Sequence, residues 1–427
     1  MGAQRHAARW LEAVAAFAIA LTSALAIADP RAAIGHVPGA VDLPIELVVD
    51  LVSVSPIAAP LAAVVAVCVC AALRNSRWAW PTAATATTLQ AVLRIPVSDE
   101  LETQVSIAAA VFAGIALGAV AATAWRRSAA SAAVAVVAGF FGAMLLKHLS
   151  LQDFTYRPIS RSALAVEPMM PSPPVWPFAI AAVAAVASAL VARPPASGDS
   201  PRQPRLALAA VALTIAMIAT EYLAAQWLVE RRIDVLVAMT MLFATTLVAA
   251  IVLARMDGPW SGAFLLTTTA VVAASHLAGG SDVSLLPRDS RWWLLLVAAA
   301  LLAGLALGVR LHHRPLRIVF ALLAVAAVLE PASFMSLLAI AALGGFAMGV
   351  SLPGAGPLAV SIALSVPTTG IAFAATTDTV TYPNSSTRLA ATAVVIACAL
   401  GTVAVGWFSQ ATLRRAEVPS PGDAKPS

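Results

Sequence analysis

Ionisable side chains set in apolar surroundings are the residues of this chain best equipped to do chemistry, and Glu221 is the most deeply placed of them. It stands in Ala219-Thr220-Glu221-Tyr222, past the centre of a long apolar run, roughly 7 Å from a bilayer midplane at the helical rise. A carboxyl group there is costly to ionise and could carry a proton; the competing reading pairs it with Arg231 or Arg232. Asp50 and Arg94 close neighbouring apolar runs and could form a polar pair, the alternative being ordinary interfacial charge. Lys147-His148 and His276 occupy similar positions, and Glu330, followed by Pro331, reads as a solvated turn residue. Asp29, Asp42, Glu46 and Asp50 share one loop, where acids can bind a metal or act as general bases. Cys68 and Cys70 are two residues apart, so on a helix they point about 200° apart and cannot share a ligand. With Cys398 they read as small packing residues. No Walker loop, HExxH, GxSxG or CxxC pair occurs. Catalytic, cofactor and metal roles are therefore assigned to no residue.

The elements that must position these groups are membrane spans. Hydrophobic residues make up 60% of the 427 and charged ones 11%, with mean hydropathy +0.89. A soluble chain of this length could not hide that much apolar surface in its cores. Apolar runs long enough to cross a bilayer recur about fourteen times. They are read at 10–28, 48–73, 79–97, 104–125, 129–149, 174–193, 205–228, 234–254, 259–279, 291–312, 316–331, 333–352, 355–376 and 388–410. Residues 316–352 would overshoot the membrane as one helix; Glu330-Pro331 divides them into two short spans, since proline removes a backbone donor. The start also carries the marks of a signal peptide: Arg5 and Arg9, the run Ala13 to Leu25, and Ala26-Ile27-Ala28 before Asp29. Retention as a first span is the favoured reading. The expected fold class is therefore an all-α polytopic membrane protein.

Charge sorts across this layout. With the N-terminus in the cytoplasm, sixteen of the 26 basic residues but five of the 21 acidic ones fall on the inner side. That is the positive-inside pattern, with both termini cytoplasmic. The tryptophans cluster at span ends, at headgroup level. The net charge of +5 is thus a topology signal and no sign of nucleic-acid binding; membrane lipid is the expected surrounding partner. Alanine-rich, lysine-poor usage suggests a GC-rich bacterial genome and hence an inner-membrane location. Substrate and oligomeric state are not legible.

Domain organisation follows from the linkers. Residues 1–193 form an expected six-span bundle and 194–204 a Pro/Ser-rich cytoplasmic linker. Residues 205–254 form an extra two-helix hairpin, 255–412 a second six-span bundle and 413–427 a disordered tail. The string Gly344 to Pro357 is the most distinctive local feature. Gly345 and Gly349 make a GxxxG face for close helix approach, and Pro353 and Gly356 permit a turn or a moving helix end.

On this layout, on the Gly345–Pro357 string and on Asp42-Leu43-Pro44 after the first span, the chain resembles the fourteen-span branch of the major facilitator superfamily, similar to drug:proton antiporters. The resemblance implies a secondary transporter of two six-helix bundles working by alternating access, with export coupled to protons. The expected substrate is small and amphipathic or lipid-like, since few polar groups line any span. The chain departs from the family pattern after span two, where Arg74-Asn75-Ser76-Arg77 contains neither Asp nor Gly, and in span five, where Gly139 and Gly142 lack a Gly-Pro string. Two other readings stand beside it. The outer-loop acids resemble those of membrane glycosyltransferases that use polyprenyl-phosphate sugars, which implies a cell-envelope enzyme. The third reading is a non-catalytic membrane scaffold.

Overall fold

Alanine- and leucine-rich runs with few β-branched clusters favour helix, and hydrocarbon leaves the backbone no other partner than itself. A computed structural model of the chain describes residues 2–27, 58–74, 76–95, 99–125, 130–150, 175–191, 204–229, 232–279, 292–312, 314–329, 334–376 and 385–416. Its described residues form fourteen α-helices, one 3-10 turn and no strand. The first six are α1 (Gly2–Ile27), α2 (Ala58–Leu73), α3 (Ala79–Val92), α4 (Asp99–Ala124), α5 (Ala130–Ser150) and α6 (Val175–Val191). Then come α7 (Pro204–Val229) and α8 (Val235–Asp257), followed by α9 (Pro259–Gly279), α10 (Trp292–Arg310) and α11 (Leu316–Val328). The last are α12 (Phe334–Ser351), α13 (Pro357–Thr376) and α14 (Ser385–Ala416), with the 3-10 turn Leu352–Gly354 between α12 and α13.

Each expected span contains one helix, and 316–352 holds two, α11 and α12. The ends differ from expectation where flanking chemistry allows it. Helix α8 continues to Asp257, since Arg255 interacts well with a C-terminal dipole, and stops at Gly258 (φ +103°), a conformation that disfavours a side chain. Helix α14 runs to Ala416, past the expected start of the tail. The loops 28–57, 151–174 and 417–427, and with them the expected outer acids and most of the tail, lie outside the described residues.

Packing divides the helices into two groups with the same internal pattern. Within α1–α6 the main contacts are α1 with α4, α5 and α6, α2 with α4, and α3 with α4 and α6, with a smaller one between α4 and α5. Adding eight to each number gives α9 with α12, α13 and α14, α10 with α12, and α11 with α12 and α14, and every one of these pairs also packs. The bundles meet along two seams, α2 against α13 and α5 against α10, which that same numbering shift exchanges, and α13 also packs on α4. Two groups of six helices with corresponding internal contacts follow. Helices α7 and α8 form the additional hairpin, which packs on α2, α13, α9 and α14. Helix α1, whose sequence also fits a signal peptide, packs inside the first bundle, burying Ala15, Ala16, Ile19 and Ala20.

Side-chain size is distributed as lipid dictates. The buried positions are dominated by alanine, whereas Trp10, Leu190, Leu208, Phe320 and Trp407 are exposed. Six described helices are long and apolar enough to cross a membrane, with six shorter apolar helices beside them. The chain is a multi-pass membrane protein.

Candidate functional site

Where the two bundles meet, polar groups that bridge a seam are the chemistry to look for, and one such cluster lies at one end of the α2–α13 seam. Arg74 follows the last turn of α2. Its Nη2 donates to Oδ1 of Asp257 at 3.4 Å, joining the first bundle to the end of α8. The Asp257 side chain is 6% exposed and that of Arg74 35%. Burial of that carboxylate is offset by more than arginine. Ser261, in the first turn of α9, donates from Oγ to Asp257 Oδ2 at 3.2 Å, and the same Ser261 Oγ accepts the Gly356 N–H at 2.9 Å. Asp257 therefore sits at the N-termini of both α9 and α13, where helix dipoles favour negative charge. A chain of contacts, Arg74–Asp257–Ser261–Gly356, links the ends of four helices.

Glycine at 356 is a steric requirement. A β-carbon built there would fall on the Asp257 carboxylate. Gly354 has the same relation to the Trp260 indole, so the turn carrying Pro353, which is exposed, lies pressed against the start of α9. Gly345 and Gly349 lie instead within α12, facing α10: β-carbons on them would strike the backbones of Leu301 and Leu305. Gly304 and Gly308 of α10 answer them against Ala342 and Phe346, so the contact is reciprocal. The matching pair in the first bundle, α2 with α4, is closed by Gly114 and Gly118 on the carbonyls of Ala62 and Ala66. The Gly304/Gly308 and Gly114/Gly118 pairs carry the same GxxxG spacing, the signal by which the sequence marks them.

Of the charged candidates the structure describes two, Glu221 and Arg94, which stand on different elements. Glu221 is half-buried on α7, in register with the buried stripe Leu206, Ala210, Thr214, Met217 and Ala224, and thus faces the bundles. Arg94, beyond the end of α3, holds its guanidinium 4.9 Å from the ring centroid of Phe178 on α6, a cation–π contact inside the first bundle. Nearby, buried Gln90 donates to the Thr22 carbonyl at 3.3 Å. Asp50 and Glu330 lie outside the described residues, as do Asp29, Asp42 and Glu46. Among the described residues no group of three or more His, Cys, Asp or Glu could hold a metal ion. Sequence reading placed Arg74 and Asp257 among ordinary inner-side charges. The available signal was an acid at the end of a span, Arg255-Met256-Asp257-Gly258-Pro259, against the basic trend of that side.

On the solved structures the chain has relatives in shape. It is similar to a proton:xylose symporter of the major facilitator superfamily, XylE, bound to 6-bromo-6-deoxy-D-glucose. The TM-score is 0.51 at 11% identity, over 96% of each chain. A partially occluded inward-open form of the xylose transporter XylE from E. coli aligns at a TM-score of 0.46 and 13% identity, over 96% of this chain and 98% of that one. No family model and no curated protein matches the sequence. Two six-helix bundles with corresponding contacts, seams at α2–α13 and α5–α10, and this similarity in shape define the fold: it is that of the major facilitator transporters.

Proposed function

We propose that the protein is a secondary transporter of the facilitator type, moving a small uncharged or amphipathic molecule across a bacterial inner membrane. The observation that carries this reading is the packing of two like bundles along two exchangeable seams, with a polar latch across one of them. Such bundles can rock about a site between them, and the latch closes one end. The sorting of basic residues supports a cytoplasmic position for the latch and for both termini.

Substrate class follows from what the helices of the seams and their neighbours offer. Among the described residues of α1, α9 and α13, the buried polar groups are the hydroxyls of Thr22, Ser23, Ser261, Thr267, Thr268, Ser361 and Ser365, with one carboxyl, Glu12, in the first half of α1. The Oγ atoms of Ser23 and Ser361 are buried without a hydrogen-bond partner. Hydroxyls suit a neutral ligand, and the alanine-rich walls suit an apolar body, which favours an amphipathic molecule. Export coupled to protons would use Glu221, the half-buried carboxyl on the inward face of α7.

The test is flux. Purified protein in proteoliposomes is expected to exchange labelled neutral amphipathic compounds in counterflow, and Glu221→Gln to remove dependence on a pH gradient. Flux through Glu221→Gln that keeps its pH dependence takes Glu221 out of the mechanism; absence of counterflow across a broad neutral panel overturns the substrate class.

A further inference from the structure

The correspondence between the two bundles fails most plainly at the seams between them. Applied to the α2–α13 seam, the numbering shift returns the α5–α10 seam, yet the two are not equally covered. Helix α7 packs on α2 of the first bundle and on α13 of the second, so it lies across the line where they meet. Its buried residues Leu206, Ala210, Thr214, Met217 and Ala224 follow one stripe at spacings of three, four and seven, a single face turned to the seam. Its partner α8 packs on α9 and α14, and Gly262 of α9 approaches the Ala250 carbonyl so closely that a β-carbon would not fit. The hairpin is thus carried by the second bundle and reaches over to the first. The last residue of α8 is Asp257, which holds Arg74 at the end of α2. Among the described residues no helix lies across the α5–α10 seam in this way; there the added contact is between α5 and the 3-10 turn at Leu352–Gly354.

From this asymmetry we infer that the α7–α8 hairpin is a strap that holds the α2–α13 seam shut at its Asp257 end, so that the bundles part first along α5–α10. Separating α2 from α13 must strip the face of α7 from α2 and break the Arg74–Asp257 pair together. Separation at α5–α10 costs neither. The strap deepens the rocking-bundle reading and rests on it only in treating the seams as moving parts.

Spin–spin distances on the full chain in lipid nanodiscs test this without knowledge of the substrate. Cys68, Cys70 and Cys398 are first replaced by alanine. One label pair, at R77C and P259C, spans the Asp257 end of the α2–α13 side; a second, at S131C and R310C, spans the α5–α10 side, and all four positions are exposed. Asp257→Asn, which keeps the bond to Ser261 and removes the ion pair, is expected to raise the long-distance population of the first pair about fivefold. Met217→Ala, or Leu206→Ala should Met217→Ala fail to fold, is expected to act on the first pair in the same sense. The second pair stays unchanged in every variant. Movement of the second pair alone, indifferent to both kinds of variant, overturns the strap and keeps the rocking bundles. Equal movement at both seams also overturns the strap. No movement at either seam, in any protein, overturns both.

Discussion

Asp257 shows how a carboxylate becomes acceptable away from bulk water: an arginine 3.4 Å away, a serine hydroxyl at 3.2 Å and two helix N-termini share its charge. The weight falls on geometry as much as on charge, which Gly356 makes testable. Gly356→Ala puts a methyl group where the carboxylate lies and is expected to destabilise the folded protein by about 1–3 kcal/mol, read as a lower melting temperature in detergent. Asp257→Ala in the same background is expected to relieve much of that loss, because it vacates the space; additive effects would show the two residues to be independent. Gln90 behaves differently. Its Nε2 makes one long bond to Thr22 while Oε1 is buried without a partner, so Gln90→Leu is expected to change stability by less than about 1 kcal/mol in the same assay. A larger loss would mean that Oε1 has a partner in the membrane.

At the scale of elements, bundle cohesion comes from close approach. With lipid tails as apolar as leucine, helices gain little by hiding leucine and much by bringing backbones together over small residues. The α10–α12 contact, with Gly304, Gly308, Gly345 and Gly349 interleaved, is the tightest form of this, and α2–α4 repeats it with glycine on one side and alanine on the other. Gly308→Leu is expected to cost at least about 2 kcal/mol, since the side chain meets the Phe346 carbonyl rather than a movable side chain. Gly142→Leu, at a site with nothing within 4 Å of a β-carbon, is the control and is expected to leave the melting temperature nearly unchanged. Similar losses at both positions would show that bulk alone, and not helix approach, sets stability. Legibility at this scale was good for helix number and poor for helix ends. The fourteen runs were countable because each needs its own crossing length, whereas the extension of α8 to Asp257 depends on how that residue is received by α9 and α13.

For the whole molecule the decisive contrast is between the two seams. Two bundles with corresponding contacts offer corresponding seams, and the added hairpin packs across one of them and not the other. Orientation is open to a direct check: cysteines placed at Arg126 or Arg314 are expected to react with a membrane-impermeant maleimide only from the cytoplasmic side, as the basic sorting requires. Reaction from outside would reverse the molecule in the membrane and put the Arg74–Asp257 latch on the outer face.

Composition and periodicity alone determined that lipid surrounds this chain, how many times it crosses, which ends carry the basic residues and where a GxxxG contact lies, because each is a property of a run taken by itself. Which helices meet was decided only by the tertiary structure. Arg74 and Asp257 are 183 residues apart, and nothing in either neighbourhood names the other. Glu221, conspicuous as a lone acid in a greasy run, proved to share a face with the buried stripe of α7, which is a matter of what packs against that helix. The physical reason is one of range: hydropathy and helix rise act along the chain, while the pairing of charges and the asymmetry of the seams arise from contacts that exist only once the bundles have assembled.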